Sequence, residues 1–299
     1  MRWILAIIVV SNVFAFDKIG TRVARFLKID ETPAKCAALP GDAAYMWYNP
    51  ASATAENYSF AATYTGIQPG VVFGSFGLLI TRKYLAFGVY ALGYNSGKIE
   101  ITTEERPEGT GLFYSIGGSA LGFSIISKLS SWFTMGVSGK VITEYIYHES
   151  ARTVALDAGG TAVLEDIGNL RVAAVITNLG GSMQLDGADL AVSDSISLIT
   201  QSYRLPTRFK FGVAKPVGNG WLFGELFHDA ALYEGVKAGF RWENRVFGVF
   251  GGISYTDFST LEEIGIKLVP KLKNLKIEYS VINGHPTGLI SNLKLVYSR

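Results

Sequence analysis

The chain has 299 residues, of which 48% are hydrophobic, 13% aromatic and only 17% charged, with a formal net charge of +2. Soluble domains usually carry about 25% charged residues, and the near-balanced, scattered charge gives no support to a nucleic-acid or acidic-substrate partner. A single cysteine, Cys36, excludes an internal disulfide and a thiolate metal centre, and His148, His228 and His285 lie apart as solvated turn residues, so neither metal nor cofactor is expected.

Residues 1–15 read as a signal peptide, with Arg2 before the apolar Ile4–Val10 and a small-residue cleavage site after Ala15. That apolar run is shorter than the ~20 residues a spanning helix needs, so an exported protein is expected. Residues 16–56 hold Pro33, Pro40 and Pro50 among alanines, which forbids a long strand and permits only short helical turns. Its aromatic run, Trp47-Tyr48-Asn49-Pro50-Ala51, needs an apolar enclosure, and a plug inside a barrel would supply one.

From residue 57 to the end the polarity alternates with a period of two, the mark of a strand with one apolar and one polar face. Val236, Ala238, Phe240 and Trp242 oppose Lys237, Arg241 and Glu243, and Leu293, Leu295 and Tyr297 oppose Asn292 and Lys294. Fourteen such segments are counted, with 113–128 and 220–229 apolar on both faces. Short turns alternate with longer connections, of which 104–112 and 178–203 are the longest, as in outer-membrane barrels. The predicted fold is therefore all-β: a closed antiparallel transmembrane β-barrel of about 14 strands, spanning 57–299, with an N-terminal plug over 16–56. A lipid-facing Arg or Lys costs about 2–4 kcal/mol, so Lys140, Glu144, Asp157, Arg171, Arg208, Lys210, Lys237, Arg241, Glu243, Lys267, Lys276, Glu278 and Lys294 are expected to line the lumen.

The third segment, 84–103, is about twice the ~9–11 residues that span a bilayer. It is interrupted at Gly93, Tyr94, Asn95 and Gly97, where glycines can bend or bulge a strand. The plainer expectation is a strand that projects beyond the bilayer; the functional alternative is a break that opens the wall sideways. The long loop carries Met183, Leu185, Leu190, Ile196 and Leu198, apolar enough to fold over the mouth or to bind a partner. No catalytic arrangement is found: the Gly-rich strings lie within strands, and no Gly-x-Ser-x-Gly elbow exists.

Phe26-Leu27-Lys28-Ile29, the small-residue stretch Ala34–Ala44, Trp47-Tyr48-Asn49-Pro50-Ala51, Leu156-Asp157-Ala158-Gly159 and Thr177-Asn178-Leu179-Gly180 together give the chain a family likeness. It resembles the PorV/PorQ branch of the FadL-like outer-membrane proteins. The resemblance implies a fourteen-stranded barrel with an N-terminal plug, located in the cell outer membrane and without enzymatic activity. From the closer branch it implies a cargo-receiving or accessory role in protein secretion of the type IX kind, with secreted proteins or secretion-system subunits as partners. From the wider family it implies the alternative, transport of long-chain fatty acids or other hydrophobic small molecules, released through a kink in the third strand. A soluble β-sandwich adhesion module is the remaining alternative from the residue pattern.

Overall fold

The computed structural model describes residues 25–28, 32–68, 70–187, 191–193, 196–197, 200–229, 233–256, 259–270, 274–284 and 288–299; the expected signal peptide lies outside them. Fourteen strands close into one antiparallel barrel. They are β1 (Tyr58–Gln68), β2 (Val71–Arg82), β3 (Leu85–Asn95), β4 (Ile116–Lys128), β5 (Phe133–Ile146), β6 (Glu149–Leu164) and β7 (Leu170–Gly180). The second half holds β8 (Arg208–Val217), β9 (Gly220–Asp229), β10 (Tyr233–Glu243), β11 (Phe247–Thr256), β12 (Ser259–Leu268), β13 (Leu275–Gly284) and β14 (Gly288–Ser298). Each strand pairs with its neighbours in sequence, and β1 pairs with β14 from Ser59↔Ser298 to Gly66↔Ser291. Closure lets wall N–H and C=O groups pair within the sheet, which strands in hydrocarbon require.

The period-two pattern sorts the two faces as its chemistry demands. Val236, Phe240, Trp242, Val249, Ile253, Ile264, Ile266, Leu293 and Leu295 are exposed on the outside. The charged residues between them turn inward and are buried: Lys140, Asp157, Lys210, Lys237, Lys267, Glu278 and Lys294. A soluble sandwich would cover the apolar face with a second sheet, whereas this one is bare on a single closed sheet, so that alternative is removed. β4 and β9 carry apolar residues on both faces because Ile126 and Phe223 join an apolar filling inside the barrel, while the inward Phe227 lies under Arg208 and Lys237.

Residues 32–53 supply much of that filling. They run as irregular chain with 3-10 turns at Ala43–Tyr45 and Pro50–Ser52, the first capped by the Asp42 side chain and the second by that of Asn49. Tyr45, Met46, Tyr48 and Asn49 have no exposed surface. The segment leaves the lumen at the rim where β1 begins, where Asn57 and Tyr58 donate their N–H groups to the Arg299 carbonyl. Two long connections, 96–115 and 181–207, both leave from the opposite rim.

Two boundaries differ from the sequence reading. The long third segment is two pieces, β3 and a separate ribbon of Ile99–Glu100 paired with Phe113–Tyr114 beyond the wall. The loop 178–203 also contains strand: Ser182–Met183 pairs with Tyr203–Arg204, and Asp186–Gly187 adds to β6.

Candidate functional site

The candidate site is the lumen, where the chain from Thr32 to Ala53 meets two chemically different walls. Strands β1–β4 carry no ionisable acid or base except Arg82 and Lys128, each at the last residue of its strand. Their inward side chains are Ala61, Phe73, Leu79, Ala86, Tyr90, Leu92, Ala120 and Ile126, with the hydroxyls of Ser59, Thr63, Ser75 and Ser124. Two of those hydroxyls, Thr63 and Ser75, satisfy each other, and Ser124 bonds Ser138 of β5 at 2.6 Å. This wall faces the apolar side of the plug: the Trp47 ring lies 5.6 Å from that of Tyr90, and Phe26 stacks on Tyr94 at 5.1 Å.

Strands β8–β14 form the opposite, charged wall and hold the plug by its polar atoms. Glu225 accepts the Ala37 N–H at 2.6 Å and the Tyr48 hydroxyl at 2.5 Å, with Lys237 3.5 Å away. Lys237 donates to the Tyr48 hydroxyl, and Lys210 donates to the Tyr48 carbonyl while its ammonium sits 3.7 Å over the same ring. Glu263 accepts the Ala34 N–H at 2.7 Å, and Lys294 pairs with Asp42 at 2.7 Å. Glu278 is contacted by Arg241 at 2.9 Å and by Lys294 at 3.6 Å. A buried charge is tolerated when opposite charges and N–H groups surround it, and here plug and wall each provide what the other lacks. Beside this network a cavity of about 30 Å³ is lined by Lys35, Arg241, Glu263, Glu278 and Asn292. It has room for water, and the buried Asn292 Oδ1, without a hydrogen-bond partner among the described residues, belongs to a side chain in the same polar lining.

The motif residues Trp47, Tyr48, Asn49, Pro50 and Ala51 are all brought together in the plug. Asn49 is its knot: Nδ2 donates to the Ala37 carbonyl at 2.7 Å, to Ser52 and to Thr161 of β6, while Oδ1 accepts the Ala51 N–H. Pro50, whose missing N–H costs nothing at the first position of a turn, lies against Gly136 of β5. A Cβ at Gly136 would come within 2.6 Å of the Ala51 nitrogen, and one at Gly159 within 2.1 Å of Asn49 Oδ1. Those glycines keep the wall low where the plug seats. Cys36 is also sealed in this packing, its thiol donating to the Gly224 carbonyl, and burial pushes it up to about 12.

Gly93, Tyr94 and Asn95 do not interrupt the wall. The ladder of β3 runs without a shift from Leu85 to Asn95 on both sides, with Gly93 opposite Gly74 and Ser119. The turn comes afterwards, where Asn95 Oδ1 accepts the Gly97 N–H and Gly97 takes a positive φ of 72°. The expected bend in the third strand is thus a rim turn, because the Asn95 side chain caps it after the last ladder pair. Of the long loop, Met183 is buried in the core and Leu185 packs against it. Leu190, Leu198 and the Ile196 side chain lie outside the described residues.

Sequence reasoning missed Glu225, Glu263 and Asp42, the acids that tie plug to wall. Glu225 was hidden by its segment, in which both faces look apolar. Its one legible signal was a carboxylate amid Leu222, Phe223, Leu226 and Phe227, a place where an unpartnered charge could not stay.

No family model and no curated protein matches the chain. Solved structures do. The monoaromatic hydrocarbon channel CymD is 11% identical, with 95% of this chain and 99% of that chain covered and a TM-score of 0.67. The toluene transporter TbuX of Ralstonia pickettii is 11% identical over 94% and 97%, with a TM-score of 0.59. A FadL homologue of Pseudomonas aeruginosa is 11% identical over 88% and 95%, with a TM-score of 0.60. The chain has the fold of the FadL-like channels. At this identity the likeness is one of fold. It extends over nearly the whole of both chains, and it gives no support to the PorV/PorQ part of the sequence resemblance or to a secretion role.

Proposed function

We propose that this protein is an outer-membrane channel that carries hydrophobic small molecules past its plug, without covalent chemistry. One observation carries the reading: the lumen is divided into a charged wall that anchors the plug and a wall, β1–β4, without a charge between its ends. An apolar molecule moving between Tyr94 and Leu79 along that wall displaces side-chain contacts and no ion pair. Against β8–β14 the same molecule would have to separate buried pairs, at about 3–5 kcal/mol for each one broken. Trp47, Met46 and Phe26 are the plug residues that face the apolar path.

The outward apolar face and the fold shared with hydrocarbon channels support an outer-membrane location. They also favour uptake over the secretion role implied by the PorV resemblance, which no structural observation supports. Both fatty acids and aromatic hydrocarbons fit the chemistry of the β1–β4 wall.

Binding in detergent tests the reading. Toluene or oleate titrated into the purified barrel is expected to bind with a negative heat-capacity change, the signature of buried apolar surface. Trp47→Ala is expected to weaken that binding about tenfold or more. Saturable binding that Trp47→Ala leaves unchanged, or no binding of either probe, would remove the β1–β4 path.

A further inference from the structure

We infer that the ribbon of Ser182–Met183 and Tyr203–Arg204 is a hinged lid that closes the long-loop mouth of the barrel; its use as a gate for substrate rests on the uptake reading above.

The hairpin of β7 and β8 does not stop at Thr177↔Arg208. It is interrupted for Asn178–Gly181 on one strand and Leu205–Thr207 on the other, and then pairs again as Ser182↔Arg204 and Met183↔Tyr203. At the interruption β7 bulges against β6. Leu156 pairs with Leu179 and Ala158 with Ile176, so the single residue Asp157 faces both Thr177 and Asn178. A bulge of two residues against one bends a strand and sharpens its twist. Here the bend turns the outer ribbon inward, which is why Met183 is only 1% exposed and Leu205 only 4%, both part of the lumen core, with Tyr203 and Leu185 packed on it.

The interruption has the composition of a hinge. Pro206 has no N–H to give to a ladder. Asn178 takes a positive φ of 59°, which an Asn tolerates better than most residues. Side chains stand in for the missing ladder: Asn178 Nδ2 donates to the Pro206 carbonyl and the Thr207 hydroxyl donates to the Asn178 carbonyl, both at 3.0 Å. Below the hinge the wall is fixed. Lys140 holds both Asp157 oxygens at 2.8 Å, and Asp157 Oδ1 accepts the Asn178 N–H at 2.7 Å.

The closed position also leaves polar atoms wanting. Among the described residues, Thr177 Oγ1 and Asn178 Oδ1 are buried at the hinge without a hydrogen-bond partner. Buried polar atoms are nearly always paired, and each exception costs the desolvation of that group. Opening wets both atoms and releases that cost, while closing buries Met183, Leu205 and part of Tyr203 and pairs Asp186–Gly187 with β6. Two opposed contributions of this kind, acting at one break in the ladder, make a two-position element. The two motifs singled out in the sequence, around Asp157 and Asn178, are the two sides of its fixed base.

Chemical labelling tests the lid. Met183→Cys is expected to react with a maleimide–polyethylene glycol in the folded barrel, while the unmodified protein, whose only thiol is the buried Cys36, does not. Thr153 and Gly181 offer a lock, since a Cβ at Gly181 lies 3.0 Å from Thr153 Oγ1, where a cysteine sulfur would sit in a disulfide. In a Thr153→Cys/Gly181→Cys background, oxidation is expected to slow labelling of Met183→Cys at least tenfold relative to the Met183→Cys single variant given the same oxidation. Heat-modifiable migration checks that each variant is folded. Protection of Met183→Cys equal to that of Cys36, or labelling indifferent to the lock, would overturn the lid. If the lock does not form, amide exchange at Met183 in the unmodified protein decides: exchange at least tenfold faster than at the paired amides of β6 supports the lid, and equal protection overturns it. Toluene uptake by the same proteins separates the two proposals. Labelling without uptake removes the transport reading and leaves the lid; uptake that persists when the lock stops labelling removes the lid as a gate.

Discussion

Glu225 holds the plug at two points, although the alternation pattern does not single it out. It gathers a backbone N–H, a phenol and an ammonium from three separate parts of the chain. Removing one member of a buried pair leaves the other uncompensated, at about 3–5 kcal/mol. Glu225→Ala is therefore expected to release the plug before the barrel melts. Limited proteolysis should cut between Thr32 and Ala53 in that variant and spare the unmodified protein; equal resistance would show that the apolar contacts hold the plug alone. Cys36 gives a second, gentler readout of the same seal. With its thiol pushed up to about 12, only about one molecule in ten thousand is thiolate at pH 8, and the thiolate is the reactive form. Iodoacetamide at pH 8 is expected to leave the folded protein untouched and to alkylate it after unfolding. Rapid reaction in the native state would mean that the plug breathes on the labelling timescale.

The wall strands do two separable tasks, and substitutions on opposite faces of one sheet tell them apart. Ile264 projects from the middle of β12 and is among the most exposed apolar residues, at 71%. Ile264→Arg would place a charge against hydrocarbon at a cost of about 2–4 kcal/mol, and is expected to lower the midpoint of barrel unfolding in denaturant. An unchanged midpoint would place that face in water. Gly136 faces inward, where a side chain would strike the Ala51 nitrogen. Gly136→Val is expected to leave assembly intact, seen as normal heat-modifiable migration, while admitting hydrophilic antibiotics that the parent excludes. Normal exclusion would mean that the plug can reseat. The strands and their facing were legible because a period of two is imposed by backbone geometry alone, and residues such as Lys237 between Val236 and Ala238 report it directly. The hinge at Asn178 was not. Its irregularity depends on how β6 and β7 slide past each other, which no local periodicity records, and β9 concealed Glu225 because its inward face is apolar on both sides of the charge.

The molecule as a whole is a barrel filled unevenly. Inward charge runs from Lys140, Glu144 and Asp157 of β5 and β6 through the strands from Arg208 to Lys294, and the first four strands are almost free of it. The plug spans the two, fixed on one side by ion pairs and hydrogen bonds and resting on the other through Trp47, Met46 and Phe26, together with a hydrogen bond from the Ala43 N–H to the Ser59 hydroxyl. That arrangement lets one seam loosen while the other holds. How the seam is divided could not be read from sequence, since pairing of plug acids such as Asp42 with wall bases such as Lys294 requires contacts between residues 252 positions apart. The Trp47–Ala51 motif was legible as something that had to be enclosed, although the partners that enclose it were not.

The central claim is that apolar molecules pass along β1–β4, and uptake through the intact barrel tests it most directly. Accumulation of labelled toluene and oleate would be followed in cells with an otherwise impermeant outer membrane, expressing either the parent protein or a variant with Leu92→Glu on the inward face of β3. At least one of the two probes is expected to accumulate with the parent, with at least a tenfold loss in the variant and no change in a small hydrophilic control. Uptake of neither probe by the parent, or equal uptake by the variant while it remains folded, would contradict the account.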